Sequence, residues 1–134
     1  MASILIIDDE EDIRNVLQMI LESAGHDVSI ASNGNVAMDM LRREPVDLLI
    51  TDIIMPDKDG VSTITEVRQY FPETRIIAIS GGGGIDPTAY KPEAISTTAY
   101  LAAAKQAGAD KVITKPFERD DLLRAVQSLL GNLH

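Results

Sequence analysis

Apolar residues fall along this chain in two alternating rhythms. Short apolar-rich runs at Ile4–Ile7, Val28–Ala31, Leu48–Thr51, Arg75–Ser80 and Lys111–Thr114 predict strands, and the unbroken stretches Ile4–Ile7 and Leu48–Ile50 predict strands covered on both faces. Between them the apolar residues recur every three or four positions, as on one face of a helix. Ile13, Val16, Leu17, Ile20 and Leu21 predict a first helix that stops near Gly25, a natural C-terminal cap. Val36, Ala37, Met40 and Leu41 predict a second, capped by Ser32 or Asn33 and closed by Pro45. Val61, Ile64 and Val67 mark a third that ends before Pro72, and an alanine-rich fourth runs from about Glu93 to Ala107. Leu122, Leu123, Val126, Leu129 and Leu130 share one face of the last. Strand and helix thus alternate five times, which predicts an α/β fold with a parallel sheet covered by helices on both faces.

In such sheets ligands gather beyond the carboxyl ends of the strands, where the strand order reverses. Asp8 and Asp9 end the first predicted strand, Asp52 the third and Ser80 the fourth, while Lys115 follows the fifth. Asp52 is a poor helix cap, because Ile53-Ile54-Met55-Pro56 is a poor helix start and a proline pushes its predecessor toward extended backbone. Carboxylates pressed together repel unless a cation joins them. A divalent ion preferring hard oxygen resolves this, and carboxylates with water and phosphate are the usual magnesium arrangement. With the Lys115 ammonium and the Ser80 hydroxyl, the rim is suited to neutralising phosphoryl oxygens during in-line transfer, with the central carboxylate as nucleophile. Glu10, Glu11 and Asp12 are read as the acidic first turn of a helix, favoured by its dipole.

Bulk properties narrow the setting. A chain of 134 residues, 45% hydrophobic and 4% aromatic, makes one domain packed by aliphatic side chains. A net charge of −9 argues against direct binding to nucleic acid or an anionic membrane. The absence of cysteine excludes disulfides and thiolate metal sites. No apolar run approaches the about 20 residues of a membrane span, and the first residues lack a signal-peptide pattern. The expected location is the cytoplasm. Gly81–Gly84 is neither a dinucleotide fingerprint nor a P-loop. Asp57, Asp59, Gly60 and Glu66 echo a calcium loop, but Met55 occupies its first ligand position.

Asp8-Asp9, Asp52 with Met55-Pro56 and Gly60, Ser80, Gly108-Ala109 and Lys115-Pro116-Phe117 together resemble the receiver domain of two-component response regulators, of the single-domain chemotaxis-regulator kind. The resemblance covers nearly the whole chain and implies a single receiver domain over residues 1–134. It implies a flavodoxin-like (βα)5 fold with strand order 2-1-3-4-5. Asp52 would be the phosphoacceptor, taking its phosphoryl group from the phosphohistidine of a sensor histidine kinase or histidine phosphotransfer protein. Mg²⁺ would be held directly by Asp9, Asp52 and the Ile54 carbonyl, and by Asp8 mainly through water. Lys115 would contact the phosphoryl group, Ser80 would swing toward it on activation, and the Lys115–Pro116 bond would be cis. The chain would catalyse only its own phosphorylation and dephosphorylation. It would signal to a downstream protein by a changed surface around the fourth helix, fifth strand and fifth helix, as a monomer or a phosphorylation-linked dimer. No output domain follows the fifth helix, as in a stand-alone regulator or a piece of a longer one.

The chain departs from the receiver pattern in three places. The segment after Ser80, near residues 81–98, is about a dozen residues longer than receivers usually need; segments this long are commonly functional or mobile. Val112 stands where most receivers carry a tyrosine or phenylalanine that rotates inward, so activation is expected to be read through the long segment instead. Ile54 and Gly82 stand where some receivers orient a hydrolytic water, which predicts slow self-dephosphorylation. Two other readings compete. A degenerate receiver would bind a partner without phosphorylation. An aspartate-nucleophile phosphatase would want a second acid two residues after Asp52, where the chain has Ile54.

Overall fold

The computed structural model describes residues 2–8, 10–53, 60–80, 102–114 and 117–131, with only the backbone of Ser80. Five strands form one parallel sheet: β1 (Ser3–Ile7), β2 (Asp27–Ala31), β3 (Leu48–Asp52), β4 (Arg75–Ser80) and β5 (Lys111–Thr114). Their order is β2-β1-β3-β4-β5, as the resemblance implies. The helices are α1 (Glu11–Ser23), α2 (Gly34–Arg43), α3 (Gly60–Tyr70), a helical stretch at residues 102–107 (α4) and α5 (Arg119–Leu130). Residues 81–101, which hold the long segment and the start of the predicted fourth helix, lie outside the described residues.

Strand side chains alternate between the two faces, and this builds two cores. Ile4, Ile6, Leu48, Ile50, Ile77 and Ile79 meet Leu17 and Leu21 of α1 and Leu122, Val126 and Leu130 of α5. On the other face Leu5, Ile7, Leu49, Ile76 and Ala78 meet Ala37, Met38 and Leu41 of α2, Ile64 and Val67 of α3 and Ala104 of α4. Two helices turn slightly from the predicted face. Val16 and Val36 are exposed, and Met38 is buried instead.

Caps set the helix ends. The Asn33 side chain accepts from the Val36 N–H at 2.9 Å, fixing the start of α2. Beyond α1, Gly25 has φ +93°. Its N–H donates to the Glu22 carbonyl at 3.0 Å and that of His26 to the Leu21 carbonyl at 3.1 Å, a Schellman ending that needs glycine's left-handed freedom.

The amino-terminal end of the sheet is tied by side chains. Arg68 of α3 donates from Nη1 to the carbonyls of Pro72 at 2.8 Å and Thr74 at 3.0 Å. From Nη2 it donates to the Gly108 carbonyl at 2.7 Å and Asp110 Oδ2 at 2.9 Å. The same Asp110 oxygen accepts from the Ile76 N–H at 2.8 Å, and the Asp110 N–H donates to the Ile76 carbonyl at 2.8 Å. Gly108 has φ +126°, and a Cβ there would meet the Arg68 side chain at 3.0 Å. Between β1 and β3, Asp47 accepts from the Ser3 N–H at 3.0 Å and from the Ser3 hydroxyl at 3.3 Å. His26 Nδ1 accepts from the Ala2 N–H at 3.3 Å. Burial, and secondarily the positive amino terminus, hold the His26 pKa below its ordinary value.

Candidate functional site

The carboxyl end of the sheet is built around two buried acids. All five residues of β3 are buried, and Asp52, its last residue, is 3% exposed. Asp8 follows β1 directly and is 1% exposed. The register pairs Ile7 with Thr51, so Asp8 and Asp52 leave the ladder side by side at the same level. Charged side chains are rarely buried so completely without a purpose or a partner.

The turn after β1 is made by its own residues. The Asp8 carboxylate accepts from the Glu10 N–H at 2.9 Å, an Asx-type turn. Glu10 is thereby placed at the N-cap of α1 in extended backbone, φ −92° and ψ 115°. Arg14, one turn later, donates from Nη1 to the Asp8 carbonyl at 2.7 Å. The Glu10 N–H and the Arg14 guanidinium together hold Asp8 in place.

The end of β3 is held just as closely. The Ile53 N–H donates to the Ile79 carbonyl at 3.0 Å, and the Gly60 N–H donates to the Ile53 carbonyl at 2.7 Å. A Cβ on Gly60 would collide with the Asp52 carbonyl oxygen and come within 2.6 Å of Ile53 Cα. Only glycine lets α3 start against this strand end. This is the physical content of the glycine in the sequence motif. It also removes the calcium-loop reading, because Gly60 and Glu66 lie within α3.

Carboxylate oxygens of Asp8, Glu10 and Asp52 lie within 4.8 Å of one another. Three hard oxygen donors at this spacing fit a divalent cation such as Mg²⁺. Glu10 is a correction to the sequence reading, which assigned it to the first turn of the helix. It stands one residue before the helix, where its side chain can share the space above the strand ends. A helix boundary shifted by one residue is invisible in a run of acids. Ser80 ends β4 and pairs with Thr114 of β5, so its backbone lies on the same edge. Asp9, Ile54 and Lys115, the other predicted site residues, lie outside the described residues, as does Pro116. Among the described residues no helix is long and apolar enough to cross a membrane.

Comparison with known proteins agrees with this geometry. The sequence profile described as "Response regulator receiver domain" matches residues 4–127. The chain is similar to the response regulator receiver protein CpdR of Brucella abortus (strain 2308), 33% identical over 130 residues, covering 97% of this chain and 98% of that protein. It is 31% identical over 127 residues to the chemotaxis protein CheY of Halobacterium salinarum, covering 95% of each. In structure it resembles a putative response regulator from Chloroflexus aurantiacus, with TM-score 0.82, 27% identity and 98% of both chains covered.

Proposed function

Because the chain belongs to the response regulator receiver family of two-component systems, we propose that it accepts a phosphoryl group on Asp52 from the phosphohistidine of a sensor histidine kinase or histidine phosphotransfer protein. The observation that carries this reading is the convergence of buried Asp8 and Asp52 with Glu10 at the carboxyl end of the sheet. Asp52 is the nucleophile. Its carboxylate oxygen forms a bond to phosphorus as the phosphorus–nitrogen bond to the donor imidazole breaks, and the imidazole leaves with the electron pair. Buried at the end of a fixed strand, the carboxylate is presented in one orientation, which lowers the cost of alignment.

Asp8, Asp9, Asp52 and the Ile54 carbonyl would hold Mg²⁺, with the Glu10 carboxylate adjoining. The ion supplies neutralisation of the charge on the transferring phosphoryl oxygens. Lys115 would contact the phosphoryl group directly and Ser80 would donate to it from the end of β4. The chain then acts on no external substrate. It signals through the surface formed by the segment after β4, α4, β5 and α5, and Val112 in β5 leaves the long segment to carry the change.

The test is intact mass after incubation with Mg²⁺ and acetyl phosphate, beside the Asp52→Asn variant. One added phosphoryl group in the wild type alone is expected. No addition to a wild type that binds Mg²⁺ would point to an obligatory kinase or a blocked site, and no Mg²⁺ binding either would favour a partner-binding module that works without phosphorylation.

A further inference from the structure

Thr51 is fully buried, with 0% exposure, and its hydroxyl donates to the main-chain carbonyl of the next residue, Asp52, at 3.0 Å. A strand residue with an apolar neighbourhood would ordinarily be valine or isoleucine, as the rest of β3 is aliphatic up to this point. The hydroxyl therefore invites a reason. Its location supplies one. The Ile53 N–H points toward β4, where it donates to Ile79. Across the same peptide, the Asp52 carbonyl must point the other way, toward β1. The pairing of β1 with β3 ends one residue earlier, at Ile7 and Thr51. The Thr51 hydroxyl thus meets the Asp52 carbonyl just beyond Ile7 and Thr51, the last described pair of that ladder. The same carbonyl oxygen is the atom against which Gly60 packs.

We infer that Thr51 is a positioning residue for Asp52: its hydroxyl fixes the peptide that follows Asp52 and so sets the direction in which the carboxylate leaves the sheet. This rests on the reading of Asp52 as the nucleophile. The hydroxyl touches neither a donor molecule nor the reacting oxygen. It acts through the main chain, by keeping the Asp52–Ile53 peptide from rotating about the strand end. A buried carbonyl that loses a donor shifts to recover one. A shift of that kind at Asp52 would move the nucleophile relative to Asp8.

Two pairs of side chains differ by the hydroxyl: threonine with valine, and serine with alanine. The experiment compares wild type, Thr51→Val, Thr51→Ser and Thr51→Ala, following phosphorylation by acetyl phosphate at saturating Mg²⁺ by intact mass, with thermal unfolding measured alongside. The Thr51→Ser variant loses a buried methyl group and is expected to unfold at a lower temperature yet react at nearly the wild-type rate. The Thr51→Val variant keeps the volume and is expected to react roughly three- to ten-fold more slowly, and Thr51→Ala more slowly than Thr51→Ser by a similar factor. Rates that follow unfolding temperature, or a Thr51→Val variant as fast as wild type, would overturn the inference and leave Thr51 a packing residue. Should one pair fail to fold, the other decides in the same terms. A wild type that takes up no phosphoryl group from either acetyl phosphate or a phosphohistidine donor would instead remove the reading of Asp52 itself, and this inference with it.

Discussion

At the amino-terminal end of the sheet, Asp110 is met by donors: the Arg68 guanidinium at 2.9 Å and the Ile76 N–H at 2.8 Å. At the carboxyl end, Asp8, Glu10 and Asp52 are brought within 4.8 Å of one another. The same residue type is used in two opposed ways. An acid met by fixed donors has its charge answered inside the fold, and it stabilises the fold at every moment. Acids set against each other carry mutual repulsion, and in the proposed function a bound cation would ease it. In that reading one end of the sheet is built for permanence and the other for exchange.

The sharpest way to break this division is to compare Arg68→Ala with Asp52→Asn in urea unfolding without Mg²⁺. Arg68→Ala removes the guanidinium from Asp110 and from the carbonyls of Pro72, Thr74 and Gly108 and should cost about 2–4 kcal/mol, with phosphorylation by acetyl phosphate nearly unchanged. Asp52→Asn removes one of three converging charges and should leave the midpoint unchanged or raise it. A loss as large as that of Arg68→Ala would end the distinction. Next in size is the response to the cation itself. Mg²⁺ at about 100 times its dissociation constant should stabilise the wild type by about 2.7 kcal/mol and the Asp52→Asn variant much less, as read by thermal melting.

Two glycines allow the same substitution at both ends. Gly60→Ala should cost about 1–3 kcal/mol through overpacking and also slow phosphorylation, because the intruding methyl group displaces Asp52. Gly108→Ala should cost about 1–2 kcal/mol through its positive φ and leave the phosphorylation rate alone. Equal kinetic effects would show that the two ends are not independent. The smallest effect is expected from His26. Its folded-state pKa lies below the ordinary 6.5, so above that pH both folded and unfolded forms are neutral and it contributes nothing to the pH dependence. As the pH falls below 6.5 the unfolded chain takes up the proton first, and stability declines until the folded-state pKa has been passed. His26→Gln should flatten this part of a stability–pH curve.

The strands were legible because β3 and β4 are continuous apolar runs, and their predicted spans match to within a residue. Helix faces were less so. In α2 the sequence offers Val36 and Met40 beside Ala37 and Leu41, and only contact with the sheet decides that Ala37, Met38 and Leu41 are buried. The buried acids Asp8 and Asp52 could be placed from strand ends alone, since a strand's last residue has a known edge. Glu10 could not, because its role depends on where the helix starts. Nor could Arg68 and Asp110, which lie 42 residues apart, nor the bond from the Thr51 hydroxyl to the Asp52 carbonyl, which exists only at the folded strand end.

Arg68 joins the end of α3 to the residues just before β4 and β5, and this has a mechanical consequence. A lever held at its base moves most at its tip. From Arg75 to Ser80 the strand β4 is roughly 17 Å long at the usual rise per residue. A tilt of about 4° at its anchored base would carry its far end about 1 Å at that length. A tilt of β4 about that base would therefore leave Arg75 nearly still and displace the backbone of Ser80 most.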